Sequence, residues 1–470
     1  MIETKAITFF QTLTLEERRW LRKWIQSPFH NNNPQLTELL HFLDTRDALT
    51  TVTLRRERVF AAVFGNAPYN DSKLRHLLSD FLRQLETFSA WRLRLESPRR
   101  HQISVLKTYR LRGLAARADT LSIALEKELE ELPARNSAEY LDIYRLKEEN
   151  YLRAAAQVRA TTHHLQEALN AFRYYFAVET LKNACIAQAN AVLTRHEYTI
   201  PYVEEVLKDV EQGRFNNEPI ILFYYHAYCA LSRPNTLIHY QALRTQLPQT
   251  GLRLAKEELQ LILLAAINFC IGRMNAGEAG FAREAFELYR FGLDGEILLH
   301  NGYLSRFTFK NAVTVALKLG ATDWTASFID RFGSHLEVTW QSSYIRFCKA
   351  RLAYANHTPE TVESLLHNLE FDDVFLNLDA RVLLVKIYFE NRRFRLLKSM
   401  LVTFERFLTR KKDKISVVHF QNYQNFIRLT GKLIAIVETP STNANDLKIL
   451  IEQTKPLAER TWLMEYFSQI

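Results

Sequence analysis

Glycine and proline are scarce: 13 and 12 occur in 470 residues, where average usage would give about 33 and 24. Helix interiors exclude both, since glycine loses the most backbone entropy on ordering and proline removes a donor and clashes with the preceding turn. Large sheet domains need more turn residues than this, so the composition predicts an all-α protein. Cysteine is also rare. Cys185, Cys229, Cys270 and Cys348 form no C-x-x-C pair and lie in apolar helical stretches such as "AAINFCIG". Such thiols are expected buried and reduced, which implies a reducing compartment.

Long apolar runs are missing too. The strongest, "LQLILLAAINFCIG" at 259–272, contains Gln260 and Asn268 and falls short of the roughly 20 residues that span a bilayer. The opening "MIETKAITFFQTLTLEERRW" lacks the apolar core and small-residue cleavage site of a signal peptide, so a cytoplasmic location is expected. No Gly-rich phosphate loop, G-x-S-x-G or H-E-x-x-H motif occurs, and neither a cofactor nor a metal is expected. His163 and Glu167 stand four apart on an expected helix but have no third ligand in sight, which reads as a solvated surface pair.

What the chain has is helical periodicity. From about residue 218 onward, apolar positions recur at helical spacing, and helices are expected to end near Ser232, Met274, Gly320, Asn356 and Asn391. A second helix of about a dozen residues follows each end, so helix pairs recur at the period of a helical solenoid. In "LDARVLLVKIYFENRRFRLLKSMLVTFERFL", Ala380, Leu384 and Tyr388 line one helix, and Phe394, Leu397, Leu401, Phe404 and Leu408 line the next. Neither helix buries its stripe alone, so each has to stack on its partner and on the neighbouring pair. The aromatic run "FYYHAYC" at 223–229 reads as core packing between helices.

Leu384, Tyr388, Phe394 and Leu397 fall at the spacing of the tetratricopeptide signature L-G-x-x-Y-x-x-x-G-x-Y-x-x-A, so the array resembles tetratricopeptide-type repeats. Val385 and Leu397 replace the small residues of that signature and Arg392 its turn glycine. The stretches "SPFHNNNPQLTELLHFL", "YNDSKLRHLLSDFLRQLETF" and "NGYLSRFTFKNAVTVALKLGATDW" also resemble an uncharacterised bacterial family of intracellular helical proteins, which brings no activity with it. The expected fold is thus an α-solenoid of stacked antiparallel helix pairs at 118–439, TPR-like. An N-terminal helical domain at 1–117 precedes it, and capping helices at 440–470 follow. Asn70 or Asp71 is expected to cap the helix beginning "SKLRHLL".

Charge is unevenly placed. Between Arg381 and Lys432 stand 13 Lys or Arg against Glu390, Glu405 and Asp413, a net of +10 in a chain whose total is +9. Segment 92–117 adds eight more against Glu96 alone. Arg395, Lys398, Arg406, Arg410, Lys411, Lys412 and Lys414 are the candidate contacts to an anionic partner, on the helix face opposite the Leu397–Leu408 stripe and in the loop after it.

Three readings follow. The leading one is a non-catalytic scaffold that binds a protein segment or peptide along the repeat surface. The second is a nucleic-acid-associated protein gripping phosphates through 92–117 and 381–432. In that reading "RRERVFAAVFG" and "NDSKLRHLLSDFLRQL" form a helix-turn-helix presenting Lys73, Arg75, His76 and Arg83. The third is an enzyme whose site carries no known motif.

Overall fold

The computed structural model describes residues 4–45, 49–50, 52–95, 97–132, 135–157, 162–194, 196–233, 235–249, 253–278, 280–366, 371–438 and 444–467. The chain is all-α, as the shortage of glycine and proline predicts. Among the described residues the only strands are the two-residue β1 (Leu299–His300) and β2 (Tyr303–Leu304), an antiparallel hairpin. Its tip holds Asn301 and Gly302 at φ of 49° and 81°, the left-handed pair whose twist matches that of two short strands.

The helices divide into two compact units, Met1–Phe176 and Ala177–Ile470. In the first, α1 (Lys5–Thr12), α2 (Leu15–Gln26), α3 (Pro34–Asp44), α4 (Arg56–Phe64) and α5 (Asp71–Leu95) close around one core. The hub is α5, which touches all four others. Its Leu74, Leu77, Leu78, Phe81, Leu85 and Phe88 recur every three to four residues and are buried. Caps fix the starts of two of these helices. At α2 the Thr14 hydroxyl accepts from the Glu17 amide at 3.2 Å while the Glu17 carboxylate accepts from the Thr14 amide at 2.8 Å. At α5 the Asn70 side chain accepts from the Lys73 amide at 3.0 Å, the cap expected from sequence.

A smaller core of Ile103, Leu106, Ala118, Leu125, Leu129 and Leu146 joins α6 (Pro98–Leu111), α7 (Ala115–Glu130) and α8 (Ser137–Gln157). Residue 117, expected as a domain limit, falls inside α7. The long α9 (Thr162–Thr194) follows.

The second unit continues with α10 (Val203–Glu211), α11 (Pro219–Ser232), α12 (Leu237–Gln246), α13 (Lys256–Asn275), α14 (Gly280–Asp294), α15 (Arg306–Lys318) and α16 (Thr322–Phe332). After these come α17 (Val338–Ala355), α18 (Pro359–Leu366), α19 (Val374–Glu390), α20 (Phe394–Arg410), α21 (Val417–Glu438), α22 (Ala444–Gln453) and α23 (Arg460–Phe467). Each packs on its neighbour in sequence, and α11 on α13, α15 on α17 and α17 on α19 pack as next-but-one neighbours. Ten of the 17 residues of α19 are buried, on every side of the helix, against five of the 17 of α20. A helix apolar all round has neighbours all round, so α19 is an inner helix and α20, with one buried stripe, an outer one. At the C-terminal end α23 returns to α19, where Trp462 meets Phe389 edge-on at 5.3 Å and donates from its indole to Glu390 at 2.8 Å.

The helix pairs turn in the same way. After α13, α15, α17 and α19 the second residue past the helix takes positive φ: Gly277 (96°), Gly320 (71°), His357 (54°) and Arg392 (52°). The next amide then reaches back five residues, Glu278 to Arg273, Ala321 to Ala316, Thr358 to Ala353 and Arg393 to Tyr388, covering an otherwise orphan carbonyl. Arg392 thus occupies the position where the tetratricopeptide signature has glycine. A left-handed conformation costs a residue with a Cβ roughly 1–2 kcal/mol, partly offset because glycine loses more entropy on folding. Arg392→Gly is therefore expected to stabilise the second unit by about 0.5–1 kcal/mol. A rise in the urea midpoint at unchanged slope is the measurement.

Candidate partner-binding surface

Three carboxylates of α19 or its cap tie that helix to α15, α17, α21 and α23. Asp373 caps α19 by accepting from the Phe375 and Leu376 amides at 2.9 and 3.1 Å, and also accepts from the Tyr344 hydroxyl at 2.8 Å. Asp379 accepts from Lys310 at 2.8 Å and from Tyr423 at 2.9 Å. Glu390 takes the hydroxyl of Tyr354 and the indole of Trp462. Each half-buried carboxylate is thus held by donors from two or more directions, as charge leaving water requires.

The ties at Asp373 and Asp379 link the amino-terminal halves of α15, α17, α19 and α21, and the tie at Glu390 links the carboxyl ends of α17 and α19 to α23. The Arg306 guanidinium stacks on Trp340 at 4.1 Å and reaches Asp373 at 3.6 Å, and the Phe375 ring meets His419 at 5.0 Å. Along this edge each helix presents an apolar side chain to solvent: Phe307 (53% exposed), Val338 (82%), Phe375 (36%) and Val417 (69%). Exposed Leu or Val residues scattered singly need no explanation, but a repeated first-turn position on linked helices forms one strip.

The basic candidates are spread along α20: Arg395 and Lys398 lie near its amino end, and Arg410, Lys411, Lys412 and Lys414 lie at its carboxyl end and in the turn toward Val417. Arg395, Lys398, Arg406 and Arg410 are exposed on α20, and Lys412 and Lys414 lie in the single 3₁₀ turn that leads toward α21. Around the buried Phe407 ring gather Arg381 at 3.8 Å, Arg410 at 5.6 Å and Lys411 at 5.9 Å, and Lys412 lies over Phe420 at 5.6 Å. Cations over aromatic faces are held in place at little cost in hydration. Lys398 differs from the rest, because Glu438 accepts from it with both oxygens, at 2.6 and 2.9 Å. Lys386 and Arg393, counted in the same segment, pair with Glu459 and Glu363. Among the described residues Arg395, Arg406, Lys411, Lys412 and Lys414 make no ion pair.

Segment 92–117 spends half its charge internally. Arg92 meets Glu17 at 3.6 Å, Arg99 meets Glu128 at 2.8 Å, Arg100 meets Asp142 at 3.3 Å, and Arg110 meets Glu149 at 2.8 Å. On α5, Lys73, Arg75, His76 and Arg83 are exposed. Arg75 pairs with Asp71 at 3.0 Å and Arg83 with Asp80 at 2.5 Å, while Asp71 also holds Arg56 and Tyr69. The helix that a helix-turn-helix would place in a groove thus starts on a carboxylate that holds its own cations.

The remaining sequence candidates are structural. Glu167 pairs with Lys147 at 3.7 Å and with His164 at 3.3 Å, the residue after the expected His163. Phe223, Tyr224, Tyr228 and Cys229 are buried, and only Tyr225 and His226 of that run are half-exposed. All four cysteines are buried free thiols, and burial pushes Cys229 up to about 11 and Cys270 and Cys348 up to about 12, so none is a thiolate at neutral pH. Sequence reasoning missed the first-turn strip, although Phe307, Val338, Phe375 and Val417 each stand one or two residues after Ser305, Glu337, Asp373 and Ser416. Among the described residues no group of three or more metal-ligating side chains occurs, and no helix is long and apolar enough to cross a membrane. No protein-family model matches this chain, and no curated protein and no solved structure does so either.

Proposed function

We propose that this chain is a non-catalytic binding protein in which a TPR-like α-solenoid of stacked helix pairs holds an acidic protein segment against its inner helices. The observation that carries the reading is the strip of first-turn residues Phe307, Val338, Phe375 and Val417, with Lys411, Lys412 and Lys414 at its end. Apolar side chains exposed at a repeated position leave a row of contacts for alternate side chains of an extended segment. The lysines, together with the positive ends of four helix dipoles, favour carboxylates between them. Packing along α11–α21 on neighbouring and next-but-one helices supports the repeat reading, because a quasi-one-dimensional array buries its core between successive pairs and leaves one continuous face open.

The test uses a fluorescein-labelled 12-residue peptide alternating Asp or Glu with Leu or Phe, its Lys-substituted counterpart, and 20-nucleotide single-stranded and duplex DNA. The acidic peptide is expected to bind the full chain, and the basic peptide is not. Phe307→Ser with Phe375→Ser, and separately Lys411, Lys412 and Lys414→Glu, should each weaken binding by about 10-fold or more, equal to about 1.4 kcal/mol. Circular dichroism should remain unchanged, because exposed side chains contribute little to folding. DNA binding with a log–log salt slope of about −0.9 per phosphate, and no peptide binding, would replace this reading with the nucleic-acid one.

A further inference from the structure

A cleft of about 690 Å³ lies in the first unit between the carboxyl end of α5, the start of α6 and the middle of α8. Its two walls differ in chemistry. One is apolar: Trp91, Leu93 and Leu95 face it from α5, and Leu93 is 66% exposed. Trp91 is held from behind by the indole of Trp24, with ring centroids 5.3 Å apart. The other is basic, with Arg100, His101 and Lys107 from successive turns of α6 and Arg145 from α8, while Arg94 of α5 adds to it.

Of the two carboxylates of the cleft, Glu149 is paired with a cation, and the exposed Glu148 holds a neutral hydroxyl and keeps its charge. Glu149 accepts from two nitrogens of Arg110, at 2.8 and 3.4 Å, and Glu148 accepts from the Tyr144 hydroxyl at 2.9 Å. Arg100 is drawn to Asp142 at 3.3 Å, which leaves Arg94, Lys107 and Arg145 as the exposed cations of the wall.

The first turn of α6 carries no acidic residue, and its Arg99 and Arg100 are joined by Glu128 at 2.8 Å and Asp142 at 3.3 Å from α7 and α8. The volume suits a small ligand and is too small for a folded domain.

We propose that this cleft binds a small organic phosphate with an aromatic body, of the nucleoside triphosphate class. The phosphates lie against Arg94, Lys107 and Arg145, where guanidinium forks match phosphate oxygens, and the ring lies against Trp91, Leu93 and Leu95. This site is separate from the acidic-segment surface of the second unit and does not depend on it.

Isothermal titration of the full chain with ATP, inorganic triphosphate and adenosine at 150 mM salt tests it. ATP is expected to bind with one site and at least 10-fold more tightly than either fragment, because phosphate and ring contacts act together. Lys107→Glu with Arg145→Glu should weaken ATP at least 10-fold. Leu93→Ser should weaken ATP while leaving triphosphate unchanged, and Lys412→Glu with Lys414→Glu should alter neither. The three variants replace exposed residues, and unchanged circular dichroism shows that they fold. Absence of saturable ATP binding up to 1 mM would overturn the proposal. So would triphosphate binding as tightly as ATP, or ATP binding unaltered by the Lys107 and Arg145 reversals.

Discussion

Phe404→Ala is expected to destabilise the second unit by about 3–5 kcal/mol, the range for truncating a fully buried phenylalanine. The Phe404 ring has no exposed surface and lies 6.1 Å from Tyr423, inside a core that gathers side chains from α19 through α23. The effect should be local. The core of α1–α5 shares no residue with it, and a cavity loosens the helices packed around it first. Amide exchange is therefore expected to accelerate across α19–α21 and stay unchanged in α1–α5. Val402→Ala, on the exposed side of the same helix, should shift stability by less than about 0.5 kcal/mol. Equal acceleration in both cores would show that the molecule unfolds as one cooperative body, against a local effect.

The helical architecture was legible in sequence because its signals are local. Helix ends expected near Ser232, Met274, Gly320, Asn356 and Asn391 fall at Ser232, Asn275, Lys318, Ala355 and Glu390. A stripe repeating every 3.6 residues and the break that ends it both lie within one helix length. The turns were only half legible: Gly277 and Gly320 announce a left-handed residue, whereas His357 and Arg392 adopt the same conformation with nothing in their side chains to say so.

Charge was misleading for the opposite reason. Segment 92–117 reads as a basic patch because Glu17, Glu128, Asp142 and Glu149, which take up four of its arginines, stand elsewhere in the sequence. Folding brings them in, and a formal charge count along the chain has no term for that. Lys398 was hidden in the same way by Glu438. His163 lost its pairing to His164 through a phase of about 100° per residue, which spacing alone did not resolve. The first-turn strip was invisible as a strip, since Phe307, Val338, Phe375 and Val417 stand on four helices that Arg306 and the Phe375–His419 contact link only in the fold.

Acid should weaken the second unit through a histidine pair. His226 of α11 and His239 of α12 approach with 3.1 Å between their Nδ1 atoms, so one ring donates and the other accepts. Desolvation, with His239 adding to it, pushes His226 down to about 4, and desolvation with Arg233 lowers His239 while Glu211 opposes the shift. The Tyr225 ring stands 5.2 Å from His226 and stays neutral in this range, pushed up to about 12 by burial. The sign follows from proton counting. Between pH 6.5 and 4 the unfolded chain protonates His226 and the folded chain does not, so stability falls as pH falls through that window and the loss is complete below about 4. One proton over that interval sets a ceiling of about 3 kcal/mol, and solvent screening of a half-buried ring brings it to about 2 kcal/mol. His226→Gln keeps a hydrogen-bonding group without the titration. Urea unfolding of wild type and variant from pH 4 to 7 should therefore give a stability difference that shifts in favour of the variant on acidification by about 2 kcal/mol. A difference that stays constant with pH would mean that the two rings titrate alike in the folded and unfolded chain, and that carboxylates elsewhere govern any acid unfolding.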